Sequence, residues 1–208
     1  MSAYEKNWSP FLYNESLYFV YRVLPLEVIY FTDYYYTPKN RYYHTHGFLS
    51  VKMNLTSLDK CSQMNYKDGL SWAYGKIRGG TPLYLIQDVG YVGFFHSLLP
   101  SCDYNYFFGA YVISSHPPFK ILKMSHQPII SNDVLVMHTG NQYKSVIFPM
   151  SYYMLDHDKK ILDTKTNIYI SNISSIVVAA GYADSVGYII HLDITMLLNS
   201  MTDMVDSC

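Results

Sequence analysis

Apolar and aromatic residues in this chain come in short runs, most alternating with polar positions and closed by Gly, Pro, Asn or Asp. The clearest are Leu17 to Val23, Glu27 to Phe31, Leu83 to Ile86, Tyr91 to Ser97, Phe107 to Ser114, Phe119 to Met124, Lys144 to Phe148, Ser175 to Gly181 and Gly187 to Asp193. A two-residue period rich in β-branched and aromatic side chains predicts strands, and the short turn-rich spacers predict antiparallel hairpins. A helical period shows only at Ile194 to Leu198, one or two turns long, with Asp193 or Thr195 as its cap. Thr32 to Lys76 is the least legible stretch; it is polar from Asn54 to Gly69 and predicts one strand around Gly47 to Met53.

The strands carry a weak repeat. Tyr91 to Ser97 followed by Phe108 to Ser114 has the layout of Ile176 to Tyr182 followed by Gly187 to Asp193, and a fainter copy lies at Leu17 to Arg22 and Glu27 to Phe31. Repeats at roughly 40–50 residues predict small four-stranded units such as β-propeller blades, with a β-sandwich as the alternative.

Composition narrows the class. The 208 residues are enough for one core and predict a single domain. Aromatic residues make up 17% of the chain, with 23 Tyr, against 15% charged residues, which fits a folded β-rich protein and not a disordered one. A net charge of −1 lacks the basic excess that nucleic acid or an anionic membrane would favour. No apolar run approaches the ~20 residues of a spanning helix, and no basic-then-apolar leader is visible, so the expectation is a soluble protein, cytoplasmic by default. The three cysteines, Cys61, Cys102 and Cys208, are far apart and predict free thiols. Asn-x-Ser/Thr patterns at Asn7, Asn14, Asn54 and Asn172 matter only if the chain is secreted.

Several residues could carry chemistry. Arg78-Gly79-Gly80-Thr81-Pro82 precedes a strand, and its glycines allow close approach of backbone to a neighbour or a ligand. His96 ends a strand where a side chain can reach a cleft, or else satisfies itself structurally. His44 and His46 share one face of an extended chain, but zinc takes three or four ligands, so no metal is expected. Asp184 lies in the hairpin after Ser175 to Gly181, where a turn aspartate bonds its own backbone. No phosphate loop, dinucleotide fingerprint or nucleophile elbow occurs, and no cofactor is expected.

Taken in order, Glu5-Lys-Asn-Trp-Ser-Pro-Phe11, Gly79-Gly-Thr-Pro82, Tyr91-Val-Gly-Phe-Phe-His96, Phe108-Gly-Ala-Tyr-Val-Ile113, Pro117-Pro-Phe119, Gln127-Pro-Ile-Ile130, Val146-Ile-Phe-Pro149 and Ala180-Gly-Tyr-Ala-Asp184 form a recognisable series. The series resembles the latter part of the five-bladed β-propeller β-mannoside phosphorylases and hydrolases and of related glycosyltransferase-like proteins. The resemblance implies an all-β fold, an incomplete propeller of about three to four antiparallel blades spanning residues 1–208 as one domain. It also implies a pocket on the propeller axis for an oligosaccharide or a sugar-phosphate. Lys6 and Asn7 would line that pocket, Arg78 and Thr81 would lie near it, and Tyr182 would offer a stacking face. His96 and Asp184 would contact the sugar or the attacking group.

The implied function is cleavage or transfer of β-linked mannosyl residues by phosphorolysis, hydrolysis or glycosyl transfer. The alternatives are a non-catalytic carbohydrate-binding protein or a degenerate interaction protein on the same scaffold. Three departures bear on the choice. The Asn-Pro turn and Glu-Asp-Pro-Arg motif of the family's earlier half, which carry its acid, do not occur here. Leu83 to Gln87 stands where the phosphorylases place a lysine, and Ala180-Gly181-Tyr182 where the family prefers Tyr-Gly. Inverting cleavage needs two carboxyls ~6.5–9.5 Å apart, and only Asp184 is supplied. The series also starts mid-pattern at Glu5, so the expectation is the latter part of a longer propeller.

Overall fold

The computed structural model describes residues 7–37, 48–58, 64–66, 71–99, 105–130, 147–164, 168–182 and 186–206, with side chains placed in all of these except 31–37, 48–58, 64–66 and 206. Its strands, in chain order, are β1 (Ser9–Tyr13), β2 (Ser16–Arg22), β3 (Glu27–Thr37), β4 (Phe48–Leu58), β5 (Met64–Tyr66), β6 (Lys76–Arg78), β7 (Tyr84–Gln87), β8 (Gly90–Leu99), β9 (Asn105–Ile113), β10 (Ile121–Met124), β11 (Ile147–Leu155), β12 (Ile168–Tyr169), β13 (Ser175–Tyr182), β14 (Val186–Asp193) and β15 (Thr202–Asp206). Among the described residues one α-helix, α1 (Ile194–Ser200), follows β14, and a single 3-10 turn spans Ile170–Asn172. The protein is therefore all-β, as the alternation predicts.

Three sheets result. The first is the antiparallel meander β1-β2-β3-β4; the second runs β12-β7-β8-β9-β10-β15-β5, with β6 also paired to β8; the third is β11-β13-β14. Apart from the parallel pair β12–β7, the strand pairings are antiparallel. The turn from β1 to β2 has only Asn14 and Glu15 between the paired residues Tyr13 and Ser16, and both have positive φ, 47° and 60°. A two-residue hairpin of primed type requires that conformation, because its twist matches the strands it joins.

The second sheet lies between the other two. Side chains alternate across a strand, so β8 and β9 present two separate sets. Val92, Phe94, Phe108, Ala110 and Val112 form one core with Ile147, Tyr152, Met154, Ile176 and Val178 of the third sheet. Tyr91, Phe95, Tyr111 and Ile113 form another with Phe11, Val20 and Val28 of the first sheet and with Phe119. A sheet covered on both faces has no polar face to display, and Tyr91 to Phe95 accordingly reads as a continuous apolar run. Two packed sheets of a sandwich would each keep a wet face, whereas the centre of this middle layer, β8 and β9, keeps none. Among the described residues the sheets do not close on themselves.

Polar groups tie the layers. The Tyr152 hydroxyl, on the third sheet, donates to the Val92 carbonyl at 2.6 Å and accepts from the Tyr84 amide at 3.2 Å, both on the second. The Leu83 amide donates to the Pro10 carbonyl at 2.9 Å, joining the second sheet to the first. Asp193 is the helix cap: its Oδ1 accepts from the Met196 amide at 2.8 Å, and Ile194, Leu197 and Leu198 are buried below.

The strand expected at Lys144 to Phe148 lies partly outside the described residues. Of that stretch only Ile147 and Phe148 are described, and they begin β11, which runs on to Leu155. Pro149 cannot donate to a ladder, and the register shifts between Pro149 and Ser151, so a bulge carries the strand past the proline.

Candidate functional site

The residues singled out around the glycine turn come together. The β6 strand ends at Arg78, directly across from His96 on β8. Gly79 and Gly80 then break the strand before β7, and a Cβ built on Gly79 would stand 1.9 Å from the Asn7 carbonyl oxygen. Backbone of residue 7 thus packs onto backbone of residue 79, and any side chain there would hold them apart. The Gly80 amide donates to Ser9 Oγ at 3.2 Å, which fastens the start of β1 to the same break.

Thr81 completes the turn with its own side chain. Its amide donates to the Phe94 carbonyl at 3.1 Å, and its Oγ1 accepts from the Phe94 amide at 3.0 Å and donates to the Pro82 carbonyl at 2.9 Å. The hydroxyl stands in for a backbone carbonyl that the irregular strand cannot supply. Ser125 repeats the device against Ala110, with the Ser125 amide donating at 2.9 Å and the Ala110 amide reaching Ser125 Oγ at 3.0 Å. Thr81 is fully buried, and its role here is to hold the turn.

His96 is 1% exposed and its Nδ1 lies 2.5 Å from the Gly79 carbonyl oxygen. A carbonyl cannot donate, so the proton sits on Nδ1 and Nε2 keeps its lone pair in the neutral ring. Burial pushes the imidazole down to about 4; the Gly79 carbonyl opposes this, and the Arg78 guanidinium adds to it. The ring lies nearly parallel to Tyr106, 6.0 Å away at 13°, and against Phe148 of the third sheet at 4.5 Å. At neutral pH His96 is an uncharged, well-fixed acceptor, not a cation.

A stability effect follows. The unfolded imidazole takes its proton near its ordinary value of about 6.5, the folded one only near 4, so between these the unfolded chain binds more protons. Stability contributed by neutral His96 is complete above about pH 6.5 and falls as pH drops towards 4, by about 2–3 kcal/mol. His96→Asn keeps an amide donor near Gly79 without titrating in this window. Urea unfolding at pH 7 and 4.5 should show that loss in the parent and a loss smaller by about this amount in the variant; equal losses would remove His96 as the cause.

The remaining candidates are distributed as follows. Arg78 is half-buried and forms no ion pair among the described residues. Asn7 is exposed, in the left-handed region at φ 62°. Tyr182 is 3% exposed, packed in the core beside the third sheet with its ring edge-on to Tyr188 at 5.9 Å, so it presents no open stacking face. Tyr182 pairs with Ile147 and with Val186, at the end of the third sheet where Phe148 meets His96. Lys6, Asp184, His44, His46 and the three cysteines lie outside the described residues. Tyr106 and Phe148, which fix the His96 ring, carry no such role in the sequence reading: the first gives no local signal, and the second stands on a different sheet.

Among the described residues there is no group of three His, Cys, Asp or Glu that could hold a metal, and no helix long and apolar enough to cross a membrane. The chain matches no protein-family model, and no curated protein matches it.

Proposed function

We propose that this chain is a carbohydrate-binding protein on a propeller-type stack of blades, holding a β-linked mannoside or sugar-phosphate beside the Gly79–Gly80 turn. One observation carries the reading: Asn7, Arg78 and His96, remote in sequence, meet at the turn where the resemblance assigns a sugar. Half-buried Arg78 offers donors to hydroxyl or phosphate oxygens, which a charged donor binds more strongly than a neutral one. The three mainly antiparallel sheets, stacked face to face, support blades of the five-bladed type as the finer description of the fold.

Binding is favoured over turnover because the groups at the turn are already engaged. His96 is buried and neutral, the Thr81 hydroxyl is spent on the backbone, and cleavage needs a second carboxyl beyond Asp184. Titration calorimetry with β-1,4-mannooligosaccharides and with mannose 1-phosphate tests the reading. Saturable binding is expected, weakened about tenfold by Arg78→Ala, in line with loss of one charged hydrogen bond. Absence of saturation with both ligands would remove the proposal. Release of mannose, or of mannose 1-phosphate when phosphate is added, would reinstate the enzyme reading.

A further inference from the structure

A cavity of about 1020 Å³ lies between the first and second sheets, starting at Pro82 where the chain leaves the glycine turn. The two-residue turn joining β1 to β2 and the loop joining β7 to β8 both line it. Its apolar lining includes Leu12, Leu17 and Leu122, all exposed although large and hydrophobic. The Tyr91 hydroxyl donates to the Leu12 carbonyl at 2.6 Å and so fixes one side against the other.

Its charge is one-sided. Glu15 and Asp88 line the cavity, both exposed, and among the described residues no Lys or Arg does, with His116 the one base on the lining. Both acids occupy left-handed backbone, at φ 60° and 64°. In a two-residue hairpin turn the position of Glu15 is the one glycine fills most easily, so the chain carries a carboxylate where the backbone prefers none. Tyr13, half-buried on the same lining, adds an aromatic surface of the kind that attracts cations.

We propose that this cavity binds a small organic cation with an apolar body, an aryl- or alkylammonium whose hydrocarbon part covers Leu12, Leu17 and Leu122 while its charge meets Glu15 and Asp88. The volume, at the top of the range for small-molecule sites, admits such a ligand, and apolar walls with a few placed polar groups are the usual make-up of such sites. An anion would face two carboxylates with His116 as the one base on the lining.

The probes are benzylamine, benzyl alcohol and benzoate, which share one ring and differ in charge, followed by amide chemical shifts at low salt. No sugar is involved, so the outcome is independent of the carbohydrate reading. Benzylamine should saturate in the millimolar range and shift the amides of 12–17 and 87–90, with benzyl alcohol several-fold weaker and benzoate weaker still. Glu15→Gly should weaken benzylamine about threefold, and Glu15→Gly with Asp88→Asn about tenfold. Because glycine suits φ 60°, Glu15→Gly should leave Tm unchanged or slightly raised, which separates lost binding from lost fold. Equal affinity for benzyl alcohol, or an unchanged affinity in the double variant, would overturn the proposal.

Discussion

Phe119→Ala is expected to destabilise the protein by about 4 kcal/mol, a large share of the roughly 5–15 kcal/mol that holds a domain of this kind together. The ring is 1% exposed and stands where the first and second sheets meet. Its centroid is 5.2 Å from Phe11 at 86°, 5.4 Å from Tyr13 at 89° and 5.8 Å from Tyr18 at 68°, edge-to-face contacts that add to simple burial. These partners belong to two strands of one hairpin, so the cavity left by alanine could close only by moving the first sheet as a unit. Urea unfolding of parent and variant at pH 7 measures the difference; a loss below about 1 kcal/mol would mean that this ring does not hold the two sheets together.

Gly79→Ala is expected to act on both stability and ligand binding. The added methyl would sit 1.9 Å from the Asn7 carbonyl oxygen and 3.0 Å from Ser9 Oγ. The first contact is with backbone, so no side chain can swing aside, and the start of β1 must part from the turn. Overpacking of this kind costs about 1–3 kcal/mol and sometimes more, and the upper end is expected where backbone meets backbone. The Gly79 carbonyl also holds His96 Nδ1, so the imidazole loses its fixed orientation along with the turn. Unfolding curves should show the stability loss, and mannoside affinity should fall by more than Arg78→Ala alone produces. Normal stability would contradict the close approach of residues 7 and 79; normal stability with lost affinity would place the turn's role in the ligand alone.

Much of the fold was legible because its strongest strands are read by local pattern. Tyr91 to Ser97 and Ser175 to Gly181 are central strands, and their apolar content is sufficient to identify them. The elements that escaped are those whose pairing lies elsewhere. β1 contains Pro10, which reads as a break; in the structure β1 is an edge strand, where proline is tolerated, and the carbonyl of Pro10 serves Leu83. β15 is short and polar, and it forms because β10 leaves an edge free, where Lys123 and Asp203 pair at 2.7 Å. The site divides the same way. Arg78, Gly79 and His96 stand out as residue types, but the contact of Gly79 with residue 7 and the ring of Phe148 on His96 join different sheets and leave no periodic trace.

The doubly covered middle sheet has a consequence for synthesis. Its face made by Val92, Phe94, Phe108, Ala110 and Val112 finds its cover in residues from Ile147 to Tyr182. At ribosomal rates of about 5–20 residues per second, that face leaves the ribosome several seconds before its cover. During that interval the nascent chain carries a bare aromatic sheet, with the first sheet already able to dock on the other side. The order of the strands along the chain therefore leaves this inner face of β8 and β9 without its cover until the third sheet arrives.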